Sequence, residues 1–592
     1  MAGFRKAFML YFPAAFVFAA SALAATEDFS RYVPDSTLVF TSWNLTGDAL
    51  KDYEASPLAK FLHDKEVKEL LGKAPLKRLS SNGLAVDEIQ SLLHTRMALA
   101  ILDSEMVKVG EDEEKREEAL KHSAALFDIS DEKAKALARK FVDIFDRRSQ
   151  ENDLGKKTVE HKGVKITIYD RPEGALEKDA CFAHKDIFVV ASTEKAARQL
   201  VEALQGNLDK PLSKSALFQA ARKKVGDHDF LWTYVNTSAI SKRAADARTV
   251  TLPFGKAMDN VAAVTGADKI QSVVFSISAD KEGLAVSLHL LGIDPKASFM
   301  QAGAGAKDAY KCMELVPADA QSFVALSVRP SKAWDIVEKI LADESVKIFG
   351  GSLEKLAGKE KKGGFDFKKD FLENLGEEAF LITPPPVKNG GTAAPVTVLP
   401  VKDRAKVEKV ALALFQEEDE KPVETKHNGH TIFSFAKRSF VCTDKYIIFG
   451  KNIDAIKAVL DASGGTKKLL KDDEEFNKVV AVLGAKTSLL ARVSVERFVP
   501  LFLALMMLRE MAEPEEPEET GEEEEMPSDE EEDAGEDESW GEDEEWPETP
   551  GHPEKPVLEQ MKLLEKFNQY FKYFYMAVIP DKDGLTIRVL IR

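Results

Sequence analysis

Apolar residues in this chain fall into short runs with two different periods. In ISADKEGLAVSL (277–288) and VIPDKDGLTIRV (578–589), apolar and polar positions alternate on both sides of a polar turn ending in glycine, the pattern of a β-hairpin with one buried face. EHKGVKITIYD (160–170) and KHNGHTIFSFA (426–436) repeat the pattern around Lys162-Gly163 and Asn428-Gly429. The second period is helical. After Asp131 and Asp403, and again after Thr193 and Asn452, apolar residues recur at three- and four-residue spacing, and each leading side chain is a good N-cap.

Most of these segments occur twice, in the same order. VPDSTLVFTSWNL (33–45) is echoed by VPADAQSFVALSV (316–328), and SAALFDISDEKAKALARKFVDIF (123–145) by PVTVLPVKDRAKVEKVALALF (395–415). KDIFVVASTEKAARQLVEAL (185–204) matches DKYIIFGKNIDAIKAVLDAS (444–463), LFQAARKKV (217–225) matches EFNKVVAVL (475–483), and FLWTYVN (230–236) matches SLLARVS (488–494). Ordered recurrence of this kind marks an internal duplication. Each copy reads as β-α-β-β-α, a hairpin-rich strand set, two helices, a strand, a helical segment and a closing hairpin. Short turns between neighbouring strands imply antiparallel pairing.

The expected fold is therefore α+β: two tandem copies of one unit, with mostly antiparallel sheets and helices packed on one face. The expected divisions are a signal peptide over 1–24, a first repeat over 25–293, a linker over 294–313 and a second repeat over 314–592. A disordered acidic insertion over 513–556 interrupts the second repeat. Whether the two copies share one sheet is left open by the pattern.

Composition changes this picture at both ends of the charge scale. MAGFRKAFMLYFPAAFVFAASALA has a basic start at Arg5 and Lys6, an apolar stretch and small residues at Ala22 and Ala24, the features of a secretory signal cleaved near Ala24. A retained anchor is the alternative, and the expected location is secreted or periplasmic. No later apolar run approaches the ~20 residues of a membrane-spanning helix. The formal charge of -19 is concentrated: residues 513 to 548 hold 22 Asp or Glu and no Lys or Arg, and the rest of the mature chain is close to neutral. A neutral body gives no footprint for nucleic acid. Three scattered cysteines, Cys181, Cys312 and Cys442, are too few for a disulfide framework and read as buried thiols.

The proline-led opening strands VPDSTLVF and VPADAQSFVAL, the Asp-capped helices ISDEKAKAL and VKDRAKVEK, and the strand-helix pair IFVVASTEKAARQLVEAL with its nearby LSKSALFQAA resemble a bacterial family of secreted proteins known as domain of unknown function 3352. The resemblance extends over most of residues 30–592. It implies an extracytoplasmic location and this fold; the family has no assigned activity, so no site is carried over. The acidic insertion and the lysine-rich EKLAGKEKKGG (354–364) depart from a plain member.

Candidate chemistry is sparse. His427 and His430 flank Asn428-Gly429, and two histidines three apart could ligate a metal, but zinc needs three or four ligands. The duplicate places His161 opposite His427 and Val164 opposite His430, which favours a hairpin turn over a metal site. Neither a nucleophile elbow, a zincin helix, a P-loop nor a dinucleotide-binding glycine motif is present. No catalytic, cofactor-binding or metal-ligating residue is assigned, and no cofactor is expected. The acidic tract, with Trp540 and Trp546 inside it, reads either as a solvated spacer or as a polyanion able to hold divalent cations weakly or to meet a protein or envelope partner. The apolar helices flanking it contain Met506, Met507, Phe567, Tyr570, Phe571, Tyr573 and Phe574, which read as core. The expected function is thus non-enzymatic binding or an envelope structural role. The alternatives are an enzyme with a non-standard site between the repeats and a carrier of hydrophobic ligands.

Overall fold

The computed structural model describes residues 28–45, 47–73, 95–109, 116–171, 178–246, 263, 265–293, 298–307, 310–341, 360, 363–385, 394–416, 421–436, 438–484, 486–496, 555–581 and 584–592. The leader and residues 513–554 of the acidic insertion lie outside the described residues; Lys555 and Pro556, expected to close the insertion, begin a helix instead. In the first copy the strands are β1 (Val39–Trp43), β2 (Met97–Val109), β3 (Arg116–Asp128), β4 (Lys156–His161), β5 (Val164–Tyr169), β6 (Asp179–His184), β7 (Ile187–Ala191), β8 (Leu231–Val235), β9 (Ser272–Asp280) and β10 (Gly283–Leu291). Its helices are α1 (Gly47–Ala55), α2 (Pro57–His63), α3 (Lys65–Lys73), α4 (Glu132–Glu151), α5 (Glu194–Leu204), α6 (Ala216–Arg222) and α7 (Thr237–Asp246). A short α8 (Ser298–Ala302) precedes the second copy.

The second copy contains β11 (Ser322–Ser327), β12 (Glu378–Thr383), β13 (Val396–Pro400), β14 (Val423–His427), β15 (His430–Ser434), β16 (Ser439–Cys442), β17 (Tyr446–Gly450), β18 (Leu489–Ser494), β19 (Tyr573–Asp581) and β20 (Gly584–Ile591). Its helices are α9 (Pro330–Leu341), α10 (Arg404–Phe415), α11 (Ile453–Ser463), α12 (Glu474–Leu483) and α13 (Lys555–Tyr570).

The strand pairings form one line. The first copy runs β4-β5-β6-β7-β3-β2-β1-β8-β9-β10 across the sheet. The second repeats that order as β14-β15-β16-β17-β13-β12-β11-β18-β19-β20. The two series meet at β10 and β20, which pair antiparallel from Leu284↔Ile591 to Leu291↔Gly584. The product is one 20-stranded sheet, with every described pairing antiparallel, so the copies do share a sheet. Ser287 pairs with Arg588, its own counterpart in the duplication, so a pseudo-twofold axis passes through that pair.

Local signals explain the elements. Asp131 accepts from the Ala134 N–H, Asp403 from Lys406, Thr193 from Ala196 and Asn452 from Asp454, each satisfying a donor that a helix start leaves open. The turns Lys162-Gly163 and Asn428-Gly429 have φ of 48° and 78°, and 47° and 78°, the positive values a two-residue hairpin loop needs at both positions.

Helices cover both faces of the sheet, where one had been expected. In the first copy Trp43, Phe127, Cys181 and Phe188 pack beneath α1, α2 and α4. Phe40, Leu126, Ile166 and Val189 point the other way, beneath α5 and α6. The second copy repeats this arrangement, with Phe440, Cys442 and Ile447 under α10 and Phe323, Val398 and Ile448 under α11 and α12. The physical reason lies in strands such as IFVVA (187–191), which are apolar at consecutive positions and so present hydrophobic surface on both sides.

Candidate functional site

The histidine hairpin is the sequence feature closest to chemistry, and the structure gives it a mechanical role. His427 and His430 form the pair that closes β14 and β15. His427 Nε2 lies 2.6 Å from Asp461 Oδ1 near the end of α11, and Asn428 Nδ2 donates to the same oxygen at 2.8 Å. The first copy repeats the connection with His161 Nε2 3.1 Å from Glu202 Oε1, while Gln205 Nε2 donates to the Lys162 carbonyl at 2.9 Å. Lys162 and then His161 hold the Glu202 carboxyl below its ordinary pKa. In each copy, then, a histidine and a carboxylate fasten a hairpin tip to the helix beside it. Among the described residues no group of three or more His, Cys, Asp or Glu side chains is arranged to hold a metal ion.

The cysteines lie in the core. All three are free and buried. Burial pushes the Cys181 and Cys442 thiols up to about 12, and Cys312 higher still, with Glu378 adding to the shift there. Cys181 and Cys442 occupy equivalent faces of the two half-sheets. A thiol in this setting is a poor nucleophile because its thiolate fraction is negligible near neutral pH.

Two buried polar groups escaped sequence reasoning. His122 is 2% exposed; its Nδ1 lies 2.9 Å from Thr193 Oγ1 and its Nε2 3.1 Å from Glu105 Oε1, while Lys195 reaches the other Glu105 oxygen at 2.8 Å. The spacing suggests a nucleophile-base-acid line, but Thr193 is itself buried and its oxygen already caps α5. The group ties the β2–β3 ribbon to the start of that helix. Glu378, 3% exposed, accepts from Lys307 Nζ at 3.1 Å and from the Lys311 N–H at 2.9 Å, which pins the segment between the copies onto β12. Residues this far apart in the chain leave no local spacing to detect.

The junction between the copies is the most distinctive region. The chain leaves β18 at Val495, whose N–H donates to the Lys572 carbonyl at 2.9 Å, so the segment carrying the acidic tract departs and returns at one point. α13, on the returning side, packs on the first copy. Phe61 meets Phe567 and Tyr570 edge-on at 5.5 and 5.8 Å, and Phe571 is fully buried. Tyr570 Oη donates to Asp64 Oδ2 at 2.9 Å, and Lys566 Nζ lies 2.5 Å from Glu66 Oε2. Asp64 also caps α3 through the Glu66 and Val67 N–H groups, so one carboxylate serves both copies. Phe567, Tyr570, Phe571 and Phe574 belong to this core, and Tyr573 packs on the core of the second copy. Met506, Met507, Trp540 and Trp546 lie outside the described residues.

Comparison with known proteins adds a family. No curated protein and no solved structure matches the chain. A family model described as "Protein of unknown function (DUF3352)" matches residues 7–302 and again residues 299–525. The second match stops within the acidic tract, short of β19 and β20, which complete the second half-sheet. Two tandem matches over most of its length place this chain in the DUF3352 family.

Proposed function

We propose that this is an extracytoplasmic, non-enzymatic protein that acts by binding, or as a structural component of the cell envelope, with the acidic tract as its contact arm. The observation that supports this reading most is how the tract is rooted. Its 22 carboxylates fall in the chain between Val495 and Phe571, and these two residues are buried together where the two copies meet. The leader supports export. Among the described residues, His161 and His427 brace hairpins and the three thiols fill core. The aromatic residues on which a hydrophobic carrier would rely are packed against α2.

A tract of this charge density attracts basic surfaces and divalent cations, and the attraction falls with salt. Pull-down from an envelope fraction with the intact protein and with a variant lacking residues 513–548 tests the arm. Loss of the captured partners on deletion is expected, and an unchanged set would refute its role. Fractionation of cells with and without residues 1–24 tests the location, which fails if the full-length protein stays in the cytoplasm.

A further inference from the structure

We propose that the outer edge of β14 is a docking surface for a second copy of the same chain, the two β14 strands pairing antiparallel about a twofold axis at Thr425. Among the described residues no strand pairs with β14 on its outer side, and Val423 is 67% exposed.

Which backbone groups face outward follows from the register. The two-residue loop closes on His427 and His430 as a hydrogen-bonded pair, so Thr425 and Val423 also bond inward to Ile432 and Ser434. The Phe435 N–H donates to the Arg438 carbonyl at 2.8 Å, which places the odd residues of β15 in bonds toward β16 and confirms the phase. The N–H and C=O groups of Glu424 and Lys426 are therefore the ones that point away from the sheet.

In the proposed pairing Glu424 of one molecule lies opposite Lys426 of the other, twice over. Those are the residues with outward backbone groups, so each opposed pair can exchange two hydrogen bonds, about four in all. Their side chains are exposed and of opposite charge. Val423 comes to lie opposite His427. Lysine on an edge strand normally discourages pairing; here the twofold operation turns it into an attraction. On β4, the other end of the sheet, an axis at Thr158 opposes Lys156 to Glu160, but Lys156 Nζ is already held by Asp146 Oδ1 at 2.5 Å, so that edge offers a weaker charge match than β14. Pairing about the β14 axis is isologous and closes on itself, which predicts a dimer.

Two further features favour pairing at β14. The hairpin is held in place by Asp461 through His427 and Asn428, which reduces the ordering cost of docking. Val495, where the chain departs toward the acidic tract, follows β18, seven strand spacings or roughly 34 Å from β14 across the sheet, several screening lengths at physiological salt.

Sedimentation equilibrium of the full mature chain over a wide concentration range is the test. Wild type should show a concentration-dependent monomer-dimer equilibrium. Glu424→Lys and Lys426→Glu should each weaken dimerisation at least about tenfold, because either change makes both opposed pairs like-charged. The double variant Glu424→Lys/Lys426→Glu should dimerise like wild type, since the swap restores both pairs. Both residues are exposed, so unchanged thermal unfolding is the control for the fold. A wild type that stays monomeric, single reversals without effect, or a double variant no better than the singles would each overturn the proposal.

Discussion

Adding a methyl group to Gly584 should damage the joint between the two copies. Gly584 begins β20 and pairs with Leu291 at one end of the β10–β20 ladder; Gly283 begins β10 at the other end, beside Ile591. Both have positive φ, 157° and 151°. A Cβ on Gly584 would overlap the Leu290 carbonyl oxygen and come within 3.0 Å of its carbon, and one on Gly283 would overlap the Ile591 oxygen and sit 3.2 Å from its carbon. These obstacles are backbone atoms of the opposite copy, so relief means separating the strands. Losing one or two ladder hydrogen bonds at about 1 kcal/mol each, with about 1–2 kcal/mol for the unfavourable backbone conformation, puts Gly584→Ala at about 2–4 kcal/mol. The sites lie at opposite ends of the ladder, so the double alanine variant should be near-additive. Gly163→Ala is the control: its φ is also positive, at 78°, but nothing lies within 4 Å of the added carbon, so it should cost about 1 kcal/mol. Urea unfolding of the three variants, with amide exchange on β10 and β20 as the local probe, measures the difference. If Gly584→Ala is no more costly than Gly163→Ala, close backbone approach is not what glycine provides there.

Other consequences are open to direct measurement. Tyr570, before the backbone N–H groups of Val67 and Glu66, holds the Asp64 carboxyl below its ordinary pKa. A depressed folded value means that this contribution to stability is present above the unfolded carboxylate pKa of about 3.9 and is lost as pH falls through the folded value. In Tyr570→Phe the Asp64 carboxyl resonance should therefore titrate at higher pH, and an unmoved midpoint would contradict the contact. Native protein at pH 8 should react slowly with a thiol reagent and expose all three cysteines on unfolding; rapid stoichiometric labelling would show that burial does not suppress them. Asp131→Ala and Asp403→Ala should each cost about 1 kcal/mol in urea unfolding, since they cap equivalent helices; a loss in only one would mean that the copies do not use the cap alike.

The features legible in the sequence are those governed by neighbours along the chain. The positive φ of Asn428 and Gly429, the four N-caps and the closing hairpins follow from local chemistry, and their duplication made each one easier to recognise. Strand order across the sheet is a different kind of information. Nothing in GLAVSLHLL marks β10 as the strand that meets its counterpart β20, because the alternation that buries a face is the same whichever strand lies alongside. Helices on the second face were readable in principle from IFVVA, whose unbroken apolar run requires cover on both sides. The His122 group was not readable, since Glu105, His122 and Thr193 are brought together only by sheet assembly.

The pairing of β10 with β20 also has an evolutionary reading. Two identical subunits meeting at such an edge would form a symmetric assembly that falls apart on dilution, and any insertion in one would appear in both. Joining them in one chain sets the effective concentration of each half for the other by the tether between them, independent of how much protein the cell makes. It also frees each half to change alone. An acidic tract of 22 carboxylates can then be carried by one half of the chain alone, without an equally charged tract in the other half to repel it.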